Sequence, residues 1–538
     1  MEIIDQRTKA IMEACKVRAR DAGLQFDNES LEYIVTNRDL IELSPKGMIP
    51  TLYDYWVNDV EVIKGTERYR LYPTNPYETV INSRPAISFY NDNNPDWLNI
   101  MIFYHVLGHI DFFQNNMLFS NTWNDDFVGQ ALADKRLITS LRSEHGRWVD
   151  YIIEFCRGLD NIVGYFDALV DQNEVELKRP PSKIDYYFDI FLQEEAKLSH
   201  SRIYQEVDRY NELYEENPDL AEAAFFTDVR KKYPEFITKY DKYQSQGLSR
   251  LKPIDLLEYI RDNSKFLAAE DNGWIKSILN IVRNTALYFG PQIRSKILNE
   301  GWASYWHDEL FCKDDRIKGH EIAYAKTNAM VTSIDRVGLN PYAIGLRLVR
   351  HVEELADKGK LRYDFQKMHN IRAREDYDLH THSGKEAIFE LRGKFSDFMM
   401  INTFIDQDFI DHHGLFVVGK RVNQQRQTYE YYVKSRRAED YKQMLLEWLY
   451  HPPFITVDES KTSETNLFLT HKFEGKELFK SYISHTLLGI EYLWGGQVQL
   501  ETTELIPRKQ NADDVAPEYD YQRVLYTMKD RKLAKVNL

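Results

Sequence analysis

Residues 98–119 read LNIMIFYHVLGHIDFFQNNMLF, and they decide the architecture predicted for this chain. The segment is apolar on nearly every side of a helix, which is typical of a helix buried inside a larger body. Two histidines interrupt it, His105 and His109, which are four residues apart and therefore share one helix face. Buried imidazoles lose water and need partners, and one metal ion supplies both at once. The segment therefore predicts a helical body with a metal site inside it.

A second segment, NEGWASYWH at residues 299–307, supplies the third metal-ligand candidate. Glu300 lies among apolar neighbours, where an unpaired charge would be costly. We therefore expect Glu300 to join His105 and His109 on one ion, and the alternative is a buried salt bridge between Glu300 and a histidine without metal. His307 follows seven residues later, roughly 10 Å along the helix axis, so we expect it behind the ligands or as a reacting group.

The length and the changing periodicity of the chain predict several packed units. A chain of 538 residues, with 43% hydrophobic and 28% charged residues, is globular and too long for one hydrophobic core. The stretches LFVVGKRV and QTYEYYVK alternate like paired strands, in contrast to the helical spacing before them. The predicted fold is mainly α with a smaller α+β carboxy-terminal domain. The predicted segments are an amino-terminal helix and wrapping arm over 1–96, a helical body over 97–394, an α+β domain over 395–510 and a polar tail over 511–538.

Charge and cysteine usage limit the partners and the compartment. The 84 acidic and 69 basic residues give a net charge of -15, which repels phosphate backbones and anionic membranes unless a basic patch is hidden locally. Nucleic acid is therefore not an expected partner. Neither a signal peptide nor an apolar run of about 18 residues is visible, so no membrane span is expected. The three cysteines are far apart and lack CxxC spacing, which favours a reducing compartment, and we predict the cytoplasm.

Several segments together carry a family resemblance. In chain order they are YETVINSRPA (77–86), FYHVLGHIDFFQNN (103–116), ALYFGPQIRSKILNEGWASYWH (286–307), NPYAIGLRL (340–348), LFLTHKFEGKEL and LWGGQVQLET. From about residue 48 to 502 the chain resembles the stage V sporulation protein R family. The resemblance implies a role in spore cortex formation or stress physiology. The family's gene neighbourhoods include a serine protein kinase, which implies a protein partner in a kinase-linked pathway.

A looser resemblance concerns the chemistry. The HxxxH spacing with a downstream glutamate in an EGWA segment resembles the zinc site of gluzincin peptidases, which implies zinc as the cofactor. Those enzymes carry a glutamate base directly after the first histidine, where this chain has Val106. Another base is then needed, and Glu321, Asp111 and Glu144 are the candidates. We predict a zinc-dependent hydrolase with His307 and Glu321 as catalytic residues. The alternative is a metal-stabilised scaffold or regulatory protein that acts through a partner.

Overall fold

A computed structural model gives the fold of this chain over most of its length. The described residues are 2–27, 29–36, 39, 79–120, 122, 127–163, 183–196, 200–246, 255–362, 365, 368, 371–423, 427–449, 452–473, 476–507 and 519–538. They form two compact units, one of Met1–Tyr165 with Asp255–Leu538 and one of Phe166–Ile254. The boundaries predicted at residues 96, 394 and 510 are not tested by this grouping and stay predictions.

Helices make up most of both units, as the sequence predicted. In chain order they are α1 Gln6–Asp21, α2 Asp96–Asn115, α3 Phe127–His145, α4 Trp148–Arg157, α5 Lys183–Asp185, α6 His200–Glu216, α7 Pro218–Lys232, α8 Phe236–Gln246, α9 Leu256–Asn263, α10 Lys265–Ala268, α11 Gly273–Arg294, α12 Lys296–Phe311, α13 Glu321–Val331, α14 Pro341–Asp357, α15 Ile371–Glu375, α16 Gly384–Lys394, α17 Asp397–Phe404, α18 Gln407–His413, α19 Ala438–Trp448 and α20 Lys480–Trp494. A π-helix, Tyr186–Glu195, continues directly from α5. None of the described helices combines the length and the apolar composition that a membrane crossing requires.

The first sheet lies near the amino terminus and was not predicted. Its strands are β1 Glu2–Ile3, β2 Ser30–Val35, β3 Thr79–Ile81 and β4 Ala86–Asn91, in the order β1-β2-β4-β3. The wrapping arm was predicted within residues 1–96, and residues 50–78 lie outside the described part of the chain. Its later residues belong to β3 and β4, and β4 pairs in parallel with β2.

The carboxy-terminal strands confirm the predicted change of period. β5 Val417–Asn423 and β6 Thr428–Ser435 form a two-stranded antiparallel sheet. A five-stranded sheet follows, with the order β11-β10-β9-β8-β7. Its strands are β7 Phe454–Val457, β8 Asn466–Lys472, β9 Gln497–Pro507, β10 Tyr519–Lys529 and β11 Lys532–Asn537. Helix α20 connects β8 to β9, which pair in parallel, as expected for a crossover connection.

The polar tail predicted over residues 511–538 differs from what the structure contains. Strands β10 and β11 lie in this segment, and β10 pairs with β9 from Tyr519 to Met528. Val524, Tyr526 and Met528 alternate along β10 and are all buried. The polar residues between them made the segment look solvated, whereas every second side chain from Val524 to Met528 is buried. Strand β11 is exposed along its whole length.

The smaller unit has its own hydrophobic core. The π-helix contributes Tyr187 and Phe191, and α7 and α8 contribute Phe225 and Phe236. The rings of Tyr187 and Phe225 lie edge to face with centroids 5.5 Å apart. Helices α7 and α8 therefore bury aromatic side chains together with the π-helix.

Candidate metal centre

Two glycine contacts place α12 between α2 and α14. Gly108, between the two histidines of α2, faces Ala303 of α12, and a Cβ added to Gly108 would lie 2.8 Å from the Ala303 Cα. On the opposite side Gly301 faces Gly345 of α14, and a Cβ on either glycine would overlap the backbone of the other helix. Small residues at both crossings let these backbones approach closely. The chain segments with the predicted ligands are therefore brought together by backbone contact.

The first turn of α12 is held by a carboxylate that is distant in sequence. Asp397, the first residue of α17, accepts hydrogen bonds from the backbone N–H groups of Ile297 and Leu298, each at 2.8 Å. These are donors that a helix leaves without partners inside its own first turn. Burial raises the pKa of Asp397 to about 7, although the two amide donors act in the opposite direction. The contact fixes the start of the helix that carries Glu300.

The three predicted metal-ligand candidates converge. The Nε2 atoms of His105 and His109 each lie 3.6 Å from the Oε2 atom of Glu300, and all three residues are buried. This distance is longer than a hydrogen bond. Two ligands of one zinc ion lie roughly 3.3 Å apart at bond lengths of about 2.0–2.1 Å. Among the described residues this is the group of histidine, cysteine and carboxylate side chains whose ligand atoms all lie within 4.8 Å of one another.

Asn299 determines which ring nitrogen of His109 carries the proton. The other nitrogen then has a lone pair that points towards Glu300. The Nδ1 atom of His109 lies 2.9 Å from the side-chain oxygen of Asn299. Because that oxygen only accepts, Nδ1 carries the proton and the Nε2 lone pair points towards Glu300. A hydrogen-bonded oxygen behind a metal-binding histidine is the usual way in which proteins orient the ring.

A longer series of hydrogen bonds, through His307 and Asn328, fixes the position of the proton on the His105 ring. Its Nδ1 atom lies 2.9 Å from Nδ1 of His307, whose Nε2 lies 3.1 Å from the side-chain oxygen of Asn328. The Asn328 amide N–H₂ donates to the Asp308 carboxylate at 3.4 Å, which orients the amide. The carboxylate only accepts, so His307 donates from Nε2 and accepts at Nδ1 from His105. The Nε2 lone pair of His105 is thereby left for the centre.

The local electrostatics suit metal binding. Burial lowers the pKa of His105 to about 3 and that of His307 to about 4, so both rings are neutral at neutral pH. Burial alone would raise the pKa of Glu300, but the neighbouring His105, His109 and Lys296 outweigh it and hold the pKa below its ordinary value. The Lys296 ammonium donates to the second oxygen of Glu300 at 3.0 Å. Neutral imidazoles and an ionised carboxylate are the forms that bind a metal.

Asn328 offers a first test of this arrangement. Replacing Asn328 by alanine removes the acceptor that orients His307 and through it His105, and such losses typically weaken metal binding by about 10- to 100-fold. We expect a zinc affinity at least about tenfold lower, measured by competition with a chromophoric chelator. Asn93→Ala, at an exposed asparagine, is the matched control. Equal affinities of the two variants would contradict the orienting role.

The two residues predicted to be catalytic, His307 and Glu321, lie in different environments. His307 is buried behind His105, with both ring nitrogens in hydrogen bonds. Glu321 is exposed at the first position of α13, where its carboxylate accepts from the backbone N–H of Gly319 at 2.9 Å. The structure therefore brings His307 to the predicted ligands, and it leaves Glu321 at the surface.

The other base candidates are also occupied elsewhere. Asp111 is buried, and burial raises its pKa to about 6. Its oxygens accept from Arg392 at 3.0 Å, from the indole N–H of Trp302 at 2.8 Å and from the backbone of Gln25 at 2.7 Å. Glu144 is exposed on α3. Neither carboxylate belongs to the converging group.

Four residues of the site were not identified from the sequence. Lys296 and Asn299 stand beside Glu300 in the segment KILNEGWASYWH, and polar residues in a buried helix were the signal available for them. Asn328 and Asp397 lie far along the chain, and their spacing gives no indication of the contact.

Comparison with known proteins identified a matching family model and a relative. The family model described as "SpoVR like protein" matches residues 4–450, which include every residue of the site. The "Uncharacterized protein YcgB" of Escherichia coli (strain K12) is 25% identical over 340 residues, which cover 60% of this chain and 59% of that relative. The match thus spans less than two thirds of the relative's own length. No solved structure matches the chain.

Proposed function

The chain belongs to the SpoVR family, and we propose that its His105, His109 and Glu300 hold one divalent metal ion in a centre that hydrolyses amide bonds. The observation that carries the proposal is the approach of two imidazole Nε2 atoms to one carboxylate oxygen, each at 3.6 Å, inside the protein. Zinc is the first candidate, because two nitrogen donors and one oxygen donor suit it, whereas magnesium and calcium favour oxygen donors throughout.

The number of ligands supports a reactive centre. Catalytic zinc sites use three protein ligands, such as two histidines and a glutamate, and keep a fourth position open, whereas structural sites use four. Three such side chains converge among the described residues. When bound, the ion would supply a Lewis acid that activates water and polarises a carbonyl group.

The residues beside the proposed ligands determine which chemical groups the protein itself contributes to the reaction. Val106 is buried and cannot accept a proton, so a glutamate base after the first histidine is absent here. Lys296 has a side chain that is 60% exposed, although its ammonium reaches Glu300. We assign to Lys296 the recognition of an anionic group on the substrate, as a peptide carboxylate would provide.

A second candidate function is a structural metal that clamps α2 to α12. The burial of His105 and the apolar side chain of Val106 favour it, since water needs access to a hydrolytic centre. In this case the protein acts through a partner.

Cobalt substitution distinguishes the two functions. The cobalt-loaded protein should give a visible spectrum that changes on titration with acetohydroxamate if a coordination position is open, because the hydroxamate then binds the ion. The Glu309→Gln variant, altered on the same helix away from the centre, should behave like the wild type. A spectrum that stays unchanged at saturating hydroxamate would contradict the hydrolytic function and favour the clamp.

We also propose a cellular process, a partner and a location for the protein. Spore cortex formation or a stress response, a partner in a kinase-linked pathway and a cytoplasmic location follow from the family resemblance and the cysteine pattern. Complementation of a deletion strain by His105→Ala tests whether the centre matters in the cell. Full complementation by this variant would contradict a functional centre.

A further inference from the structure

The β5–β6 hairpin presents an exposed face that the metal centre does not use. Lys420 pairs with Tyr431 and Val422 with Tyr429 across the two strands, so these four side chains share one face. Val422, Tyr429 and Tyr431 are 62%, 61% and 54% exposed. Contiguous exposed apolar side chains of this kind mark interaction surfaces. We call these four residues the hairpin face.

The charge around the hairpin face is opposite to that of the whole chain. Described residues 417–423 and 427–437 contain five basic residues and one acidic residue, Glu430, whereas the chain carries a net charge of -15. Lys420 lies on the hairpin face itself, and Arg436 and Arg437 follow the end of β6. Arg421, which pairs with Glu430 at 3.0 Å, and Lys434 alternate onto the opposite face of the hairpin. The hairpin is the local basic patch that the overall charge conceals, and it is complementary to a polyanion.

We infer that the hairpin face binds single-stranded nucleic acid. Tyr429 and Tyr431 stand two residues apart on one strand, roughly 6.6 Å at the usual rise, with both rings on the same side. Exposed aromatic rings on a sheet next to basic side chains are the arrangement on which unpaired bases stack while the cations contact phosphates. The Lys420 ammonium lies over the Tyr429 ring, 3.6 Å from its centre. A base that stacks on this face of the ring therefore displaces the ammonium, which is then available to contact a backbone phosphate.

A single strand fits this face better than two other polyanions. A duplex keeps its bases stacked internally and would use the charges without the rings. An acidic peptide would likewise use the charges, whereas stacking on two neighbouring tyrosines requires planar partners. The inference is independent of the proposed metal centre.

The test measures binding of fluorescein-labelled 15-mer oligo(dT) and oligo(rU) to the full chain by fluorescence anisotropy. The wild type should bind both at low salt, with an affinity that falls as salt rises. Stacking on one aromatic residue changes affinity by about tenfold, so the double variant Tyr429→Ala/Tyr431→Ala should lose roughly a hundredfold. Tyr521→Ala is the matched control, because this tyrosine is 70% exposed on β10. It should stay within about twofold of the wild type.

Other outcomes would overturn the inference. The inference fails if the wild type binds no oligonucleotide at low salt, or if Tyr521→Ala loses as much affinity as the double variant. It also fails if the wild type and the double variant each bind duplex as tightly as single strands. Binding of poly-glutamate without binding of either oligonucleotide would contradict it as well. Lys420→Gln provides a second test, because Lys420 is the cation of the hairpin face and one lost phosphate contact should reduce the slope of log affinity against log salt by about 0.7. An unchanged slope would count against the nucleic-acid contact.

Discussion

Replacing Glu300 by glutamine is expected to abolish tight zinc binding. The carboxylate is the anionic member of the converging group, and glutamine keeps its shape while removing the charge. If three ligands share a binding free energy of about 10 kcal/mol, the loss of one costs roughly 3 to 4 kcal/mol, or several hundredfold in affinity. The neutral amide would also leave the Lys296 ammonium, 3.0 Å from Glu300 in the wild type, without its carboxylate.

Thermal unfolding with and without zinc measures this effect. A ligand that binds only the folded state adds about 4 kcal/mol of stability at a thousandfold excess over its dissociation constant. The wild type should therefore melt at a higher temperature with zinc, and a chelator should reverse the shift, whereas Glu300→Gln should respond to neither. Glu309→Gln is the control, because Glu309 lies on the same helix and pairs with Lys313 at 2.9 Å. An equal zinc response of Glu300→Gln and the wild type would refute the ligand role of Glu300.

A valine at position 345 is expected to prevent α12 from packing against α14. A Cβ on Gly345 would overlap the carbonyl oxygen of Ile297, and it would lie 2.7 Å from the Cα of Gly301. Backbone atoms cannot move aside as a flexible side chain can, so α12 must shift, and Glu300 must shift with it. Overpacking in a core commonly costs about 1–3 kcal/mol, and we expect about 3 kcal/mol or more at this contact.

Urea unfolding followed by circular dichroism tests the packing, and zinc competition tests the coupled movement of Glu300. Gly345→Val should unfold at a lower urea concentration, or fail to accumulate as folded protein, and any folded fraction should bind zinc more weakly. Gly273→Ala is the control, because a Cβ on Gly273 would have no neighbour within 4 Å at the start of α11. This control should be neutral or slightly stabilising. A wild-type midpoint for Gly345→Val would show that the close approach of α12 to α14 is not required.

The convergence of His105, His109 and Glu300 could be predicted because a buried polar group has few possible partners. An HxxxH pair on an apolar helix and an acid in a second buried helix both need partners, and each can satisfy the other. The change of period after residue 395 likewise predicted β5 and β6. Such signals are local, so a single sequence contains them.

Other contacts between distant segments leave no such local signal and could not be predicted. Asp397 caps α12 from a hundred residues away, and Asn328 orients His307 from another helix, so nothing in their local sequence indicates either role. The parallel pairing of β2 with β4 is equally non-local. Strand β10 is a different case, because the alternation of Val524, Tyr526 and Met528 was present in the sequence and was outweighed by the charged residues around it.

Metal content of the purified chain is the most direct test of the centre. After reconstitution with zinc and removal of excess ion, mass spectrometry of the dissolved protein should give about one ion per chain for the wild type and for Glu309→Gln. His109→Ala and Glu300→Gln should retain about a tenth of that or less under the same washing. A wild type without stoichiometric metal, or variants that keep a full ion, would contradict the metal centre at His105, His109 and Glu300.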